Sequence, residues 1–361
     1  MAWFRRDTDK SVESTKTPIL QETPDDGKTH VCNAYALLNC TFTAPVVKHS
    51  REEVRHQDER PSLPTLSKDA ELITPKFKGL LAPVFTCFTD DDRRSLDVRP
   101  INRYAEWLKH QLIAGVLVNG VVGEGPIMRV RERKANAEYW QRAAVRHNLL
   151  ILVQVGGAPL PDVLSLAAHA EELHVSGVVV LPDLFYRPRT VDQLVGYCKH
   201  VASRCRTRPL LYYHMPSMTG VDLDMVEFCT KAERAIPNFM GLHYSSGDLE
   251  MGQRCLRLGR VILLASPSLL ASGLMSGFSC CSLAVINIRP DLVRRICDAF
   301  DGNELQHVRD YQRELNQLID IHTQLGGSLE KWVVCMKSWL NKEFSSRASG
   351  PFIAGPARTV F

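Results

Sequence analysis

Four short stretches hold the side chains able to do chemistry. They are Asn119-Gly120-Val121-Val122-Gly123-Glu124-Gly125, Tyr212-Tyr213-His214-Met215-Pro216, Leu242-His243-Tyr244-Ser245-Ser246 and Leu264-Ala265-Ser266-Pro267-Ser268. A tyrosine such as Tyr213 can relay a proton or serve as a satisfied aromatic. A histidine such as His243 can be a general base, a metal ligand or a hydrogen-bonded filler. His243 with Glu124 or with Tyr213 would make an acid–base pair. His214 neighbours Tyr213, and the two-residue period of a strand turns it to the opposite face, which argues against a His214–His243 metal pair. No third ligand follows, and neither a metal nor a cofactor is expected. No GxGxxG, phosphate-loop or CxxC motif occurs. Cys280-Cys281 reads as packing, and Arg131-Glu132-Arg133 as the solvated, ion-paired opening of a helix.

The elements that must position these residues are legible from Lys78 onward. Apolar, β-branched runs recur at Gly79–Thr86, Gly115–Asn119, Leu149–Val155, Gly177–Leu181, Leu210–His214, Phe239–Ser245, Val261–Ala265 and Ser279–Val285. Between them lie amphipathic segments with helical spacing, such as Val130–His147 and Leu160–Leu173. Strands that are apolar throughout and alternate with helices argue a parallel sheet covered on both faces. Eight such units predict an α/β fold of the (β/α)8 TIM-barrel type, whose chemistry sits at the carboxyl ends of the strands. Further helical patterns, near Asp291–Phe300, Glu304–Leu325 and Leu329–Glu343, predict additional C-terminal helices.

The chain has 361 residues, 45% hydrophobic and 23% charged, with 44 basic against 40 acidic residues. That balance excludes a fibrous or wholly disordered protein and gives no basic face for nucleic acid. Val31–Val47 is too short and too polar to span a bilayer, and Met1–Lys10 lacks the apolar region of a signal peptide. Eleven cysteines in no framework spacing suit a reducing compartment, so a cytoplasmic protein without membrane contact is expected. Residues 1–76 show no sustained apolar period and are expected to form a disordered, variable leader ahead of a barrel over 77–361. The sequon Asn39-Cys40-Thr41 is discounted because no signal peptide precedes it.

The stretches quoted above resemble the dihydrodipicolinate synthase and N-acetylneuraminate lyase (sialic acid aldolase) family, with the lyase branch nearest. The resemblance rests on Val118-Asn119-Gly120-x-x-Gly123-Glu124-Gly125 followed by Val130-Arg131-Glu132-Arg133. It rests equally on Tyr212 through Val221 and on Ile236-Pro237-Asn238-Phe239-Met240-Gly241-Leu242. It covers roughly residues 77 to 358; members usually continue past the position of Phe361, so a terminal helix is expected to be missing. What the resemblance implies is a TIM barrel, usually a homotetramer, in which a strand-six lysine forms a Schiff base with pyruvate or with the pyruvate half of a sialic acid. Only a primary amine condenses so with a ketone, and the protonated imine is the electron sink for carbon–carbon cleavage. It further implies a proton-relay tyrosine at the position of Tyr213, paired carboxylate-binding hydroxyls after strand two and an Asp-Glu pair for sugar hydroxyls after strand seven.

This chain departs from that pattern at most of those positions. The lysine's place is His243, and the paired hydroxyls are Val121 and Val122. Two lost charge-assisted hydrogen bonds, about 1.5–3 kcal/mol each, would weaken carboxylate binding about a hundredfold or more. The strand-seven positions are Ala265, Ser266, Pro267 and Ser268, and the strand-eight serine falls at Ala284. Tyr213, the Ser245 hydroxyl and the Gly123-Glu124-Gly125 turn remain. The barrel's lysines (Lys78, Lys109, Lys134, Lys199, Lys231, Lys331, Lys337 and Lys342) lie at the first strand's start or in helical segments, where solvated surface is expected. The expectation is therefore a catalytically degenerate lyase-like protein that binds a 2-oxo acid or sialic acid, if any small molecule, or that acts as a non-catalytic subunit in a homo-oligomer or with an active paralogue. Two alternatives stay open: an active lyase cleaving N-acetylneuraminate to N-acetylmannosamine and pyruvate, and new acid–base chemistry through His243 and Tyr213.

Overall fold

The computed structural model describes residues 79–257, 259–323, 329–346 and 352–358. The expected leader, its sequon and Lys78 lie outside the described residues. Eight parallel strands, β1 (Gly79–Pro83), β2 (Gly115–Val118), β3 (Leu150–Gln154), β4 (Gly177–Val180), β5 (Leu210–His214), β6 (Phe239–Tyr244), β7 (Val261–Leu264) and β8 (Cys280–Ser282), form a closed barrel in sequence order. Closure is made by β1 against β8, with Leu81 opposite Ser282. Around them run α1 (Ile101–His110), α2 (Val130–His147), α3 (Leu160–Glu172), α4 (Val191–Ala202), α5 (Pro216–Thr219), α6 (Met225–Ala235), α7 (Leu249–Cys255) and α8 (Leu270–Met275). Three more, α9 (Pro290–Asp301), α10 (Leu305–Thr323) and α11 (Leu329–Ser345), follow the barrel.

The strands are apolar throughout because both faces are buried. Leu81, Leu117, Leu152, Val179, Leu211 and Leu263 fill the barrel, while Val116, Val118, Val178, Val180 and Leu242 join the layer under the helices. Several strands are shorter than their apolar runs. Val84, Phe85 and Thr86 are buried but lie past the end of β1, and the run after β8 turns into a tight helical turn over Ala284–Asn287. An apolar run reports burial, whereas a strand also needs ladder partners.

The register of β6 is set by a bulge. Leu210 pairs with Phe239 but Leu211 with Gly241, so Met240 is the extra residue. Gly241 has φ 153°, and a Cβ there would stand 1.8 Å from the Val261 carbonyl oxygen. This bulge brings His243 level with Tyr213 on β5. A Gly241→Ala variant is expected to lose about 2 kcal/mol or more of stability through this overlap, measured as a shift in the urea midpoint. An unchanged midpoint would show that the strand absorbs the methyl group.

Candidate active site

The carboxyl ends of the strands open into a cavity of about 340 Å³. Tyr213, His243, Val121, Val122, Ser245, Ala265, Pro267, Ser268 and Ala284, each singled out from the sequence, all line it. The structure adds Ser282 from β8, Ile319 from α10, and Trp332 and Val333 from α11. Ser282 lies two residues before Ala284, the strand-eight position that the family resemblance singles out. The helical pattern of α10 and α11 was visible, but nothing in it told which residues turn toward the barrel mouth.

Alternation along β5 and β6 sorts the candidate residues. Tyr213 and His243 face the cavity with ring centroids 4.0 Å apart. His214 faces outward and stacks on Tyr244 at 5.3 Å, so the two histidines lie on opposite sides of the sheet. His243 is 1% exposed. Its Nε2 lies 3.0 Å from the Ser282 Oγ, and its Nδ1 takes no partner from any other described residue. Burial lowers its imidazolium pKa to about 3, so it is a neutral ring at physiological pH. Burial likewise pushes the Tyr213 phenol up.

Glu124 does not pair with His243, contrary to one sequence expectation. It occupies a left-handed turn at φ 54°, next to Gly125, where a Cβ would meet the Asn119 carbonyl oxygen at 1.9 Å. From there its Oε1 meets the Lys337 Nζ at 3.0 Å and its Oε2 accepts from the Arg358 backbone N–H at 2.7 Å. Lys337 is therefore not the solvated helix lysine expected from sequence: it is 1% exposed. Desolvation lowers its ammonium pKa, opposed by the Glu124 charge. The Lys337 Nζ and the Arg358 guanidinium each sit 4.3 Å from the Phe88 ring centre. Arg358 also forks onto Glu132 at 2.9 Å through both nitrogens. Two cations thus meet two carboxylates beside the strand-two turn, tying α11 and the C-terminal segment to it.

Arg133 is a second correction. It was expected on a solvated face but is 1% exposed, with Nη2 donating to the Gln154 carbonyl oxygen at 2.8 Å. Its own carbonyl accepts from Asn119 Nδ2 at 2.9 Å, and Asn136 Nδ2 donates to Asn119 Oδ1 at 2.8 Å. This network holds the turn that carries Val121 and Val122. Burial lowers the Arg133 pKa to about 10.

The described cysteines are buried, Cys280 and Cys281 among them, and burial raises the Cys281 thiol pKa. Among the described residues no group of three or more His, Cys, Asp or Glu converges as a metal site. No helix among them is long and apolar enough to cross a membrane.

The buried histidines make stability pH-dependent. His214 has no hydrogen-bond partner for either nitrogen among the described residues, and burial lowers its pKa to about 4. An unfolded histidine titrates near 6.5, so between there and the folded values the unfolded state binds more protons and stability is lost as pH is lowered. At about pH 5 each histidine should have removed about 2 kcal/mol relative to about pH 7.5. Urea unfolding at the two pH values should show this loss, and His243→Gln should remove about half of the two-histidine contribution. Equal acid losses in wild type and variant would rule out a buried neutral His243.

A closed parallel barrel with its cavity at the carboxyl strand ends defines a TIM-barrel protein, with its site where such barrels carry their chemistry. More narrowly, the chain belongs to the dihydrodipicolinate synthetase family, whose sequence profile matches residues 76–337. It is 30% identical to N-acetylneuraminate lyase of Gallus gallus over 268 residues, 73% of this chain and 86% of that protein. To the Danio rerio N-acetylneuraminate lyase it is 30% identical over 288 residues, 78% of this chain and 90% of the relative. Among solved structures, the N-acetylneuraminate lyase of Proteus mirabilis superposes with a TM-score of 0.72 at 28% identity, covering 80% of this chain and 93% of the other. That of Aliivibrio salmonicida gives 0.71 at 30% identity, covering 79% and 90%. The chain is thus an N-acetylneuraminate lyase-like family member.

Proposed function

We propose that this lyase-like barrel has lost imine-based aldolase chemistry and acts by binding a small molecule at the barrel mouth or as a non-catalytic subunit of an assembly. The observation that carries this is the pairing of Tyr213 with His243 where an amine would be required, in a cavity lined by no described lysine. Imidazole cannot condense with a ketone to give the neutral or protonated imine on which carbon–carbon cleavage depends. Lys337, the buried lysine nearest in character, is engaged by Glu124. The loss of the paired hydroxyls at Val121 and Val122 and of the carboxylates at Pro267 and Ser268 points the same way. An assembly role is supported by Phe185 and Tyr186 after β4, which are 84% and 82% exposed and pack edge to face. The test is reduction with borohydride in the presence of pyruvate, read by mass spectrometry beside an active family enzyme. No adduct is expected; a site-specific pyruvyl-lysine would overturn the proposal and support an active lyase.

A second reading, new acid–base chemistry, is favoured by the 3.0 Å contact of His243 with Ser282. A ring with its pKa near 3 is a weak base at neutral pH, which counts against it. Turnover of 2-oxo acids or sugars that disappears in His243→Ala would establish it; identical blank profiles would end it.

A further inference from the structure

Among the described residues, the wall of the cavity carries hydroxyls but no charge. Tyr213, Ser245, Ser266, Ser268 and Ser282 supply five hydroxyl groups, and the remaining lining is apolar apart from His243. On the apolar side stand Val121, Val122, Met215, Leu269, Trp332 and Val333. His243 is a buried ring hydrogen-bonded to Ser282. Lys337 and Arg358, beside the strand-two turn, are committed to Glu124 and Glu132 and do not line the cavity.

An anion entering such a site would exchange water for neutral dipoles and hydrocarbon with no counter-charge, which is costly. A neutral molecule meets no such penalty, and its hydroxyl and carbonyl groups can pair with the serines while its apolar face lies on the valines and Trp332. The volume of about 340 Å³ is within the ordinary range for small-molecule sites. Resting on the same cavity as the proposed function, we propose that it selects uncharged, hydroxyl- or carbonyl-bearing small molecules and rejects carboxylates of the same shape. The pocket of a sugar-acid aldolase has, on this reading, become a site for a neutral ligand.

Matched pairs that differ only in charge test this on the full chain at neutral pH: methyl pyruvate against pyruvate, and the methyl ester of N-acetylneuraminate against the free acid. Calorimetry or ligand-observed NMR should show the ester of at least one pair bound about tenfold or more tightly than its acid. Val121→Trp, which fills the rim, should abolish that binding, and the milder Ser245→Ala should weaken it severalfold by removing one hydroxyl partner. Equal or tighter binding of the acids would overturn the proposal, as would no binding of any probe at about 10 mM or ester binding untouched by both variants. The borohydride experiment separates the two readings. A trapped pyruvyl-lysine would end the lost-aldolase reading alone, whereas an acid preference without an adduct would end only the neutral-ligand proposal.

Discussion

A His243→Lys variant is expected to acquire a pyruvyl adduct under borohydride where the wild type stays unmodified. The register places position 243 beside Tyr213, at the cavity and within a buried environment. Burial lowers the pKa of an amine, so a larger share is unprotonated and nucleophilic. The amine adds to the ketone carbon and water leaves; hydride from borohydride then reduces the imine to a stable secondary amine. The single exchange supplies the nucleophile without the carboxylate site, so labelling should be slow with pyruvate. Adding Val121→Ser and Val122→Thr restores two hydroxyl donors, each worth about 1.5–3 kcal/mol to a carboxylate, and should raise labelling at low pyruvate by about a hundredfold or more. The single variant should favour methyl pyruvate and the triple variant pyruvate. A triple variant that remains folded yet takes no label would show that these three positions are not enough to supply imine chemistry.

The second large effect is expected at Lys337. Replacing it with Met takes the Lys337 ammonium away from the buried Glu124 carboxylate, and removing one partner of a buried pair typically costs about 3–5 kcal/mol. The double variant Glu124→Gln with Lys337→Met should recover much of that, because the amide still accepts from the Arg358 N–H. Urea unfolding of the wild type, both single variants and the double variant measures the coupling. Because α11 also carries Trp332 and Val333 at the cavity, Lys337→Met should weaken ligand binding as well as stability. A loss below about 1 kcal/mol would reduce the contact to the value of a surface pair.

Some elements were read from sequence to the residue. β5 and α2 coincide with the expected Leu210–His214 and Val130–His147, because each is bounded by sharp changes in pattern: the Met215-Pro216 pair after β5, and Asn148 in the left-handed conformation after α2. The ends of β1 and β8 were overextended, since burial continues past the last ladder bond. The charged residues misread as surface, Arg133 and Lys337, share one cause. Helical period says which residues lie on one face, and a charged residue on the inner face looks no different from one on the outer until its partners, Gln154 and Glu124, are brought to it. Glu124 and Lys337 lie 213 positions apart, beyond any local pattern.

That residue 243 is an imidazole unable to form an imine, and that residues 121 and 122 are valines without hydroxyls, is decided by the sequence alone, because the bonds a side chain can make belong to its chemistry. Repeated apolar runs with helices between them likewise determined a parallel sheet covered on both faces, since strands without a polar face need cover on both sides; that it closes rests on the pairing of β1 with β8. Which groups share the cavity was decided only by tertiary structure. Closure of β1 on β8 and the β6 bulge bring Ser282, His243 and Tyr213 together, and the clasp of α11 on the strand-two turn commits Lys337 to Glu124 outside the cavity lining. The charge state of a site depends on what surrounds each group in space, and that is set by packing between segments far apart along the chain.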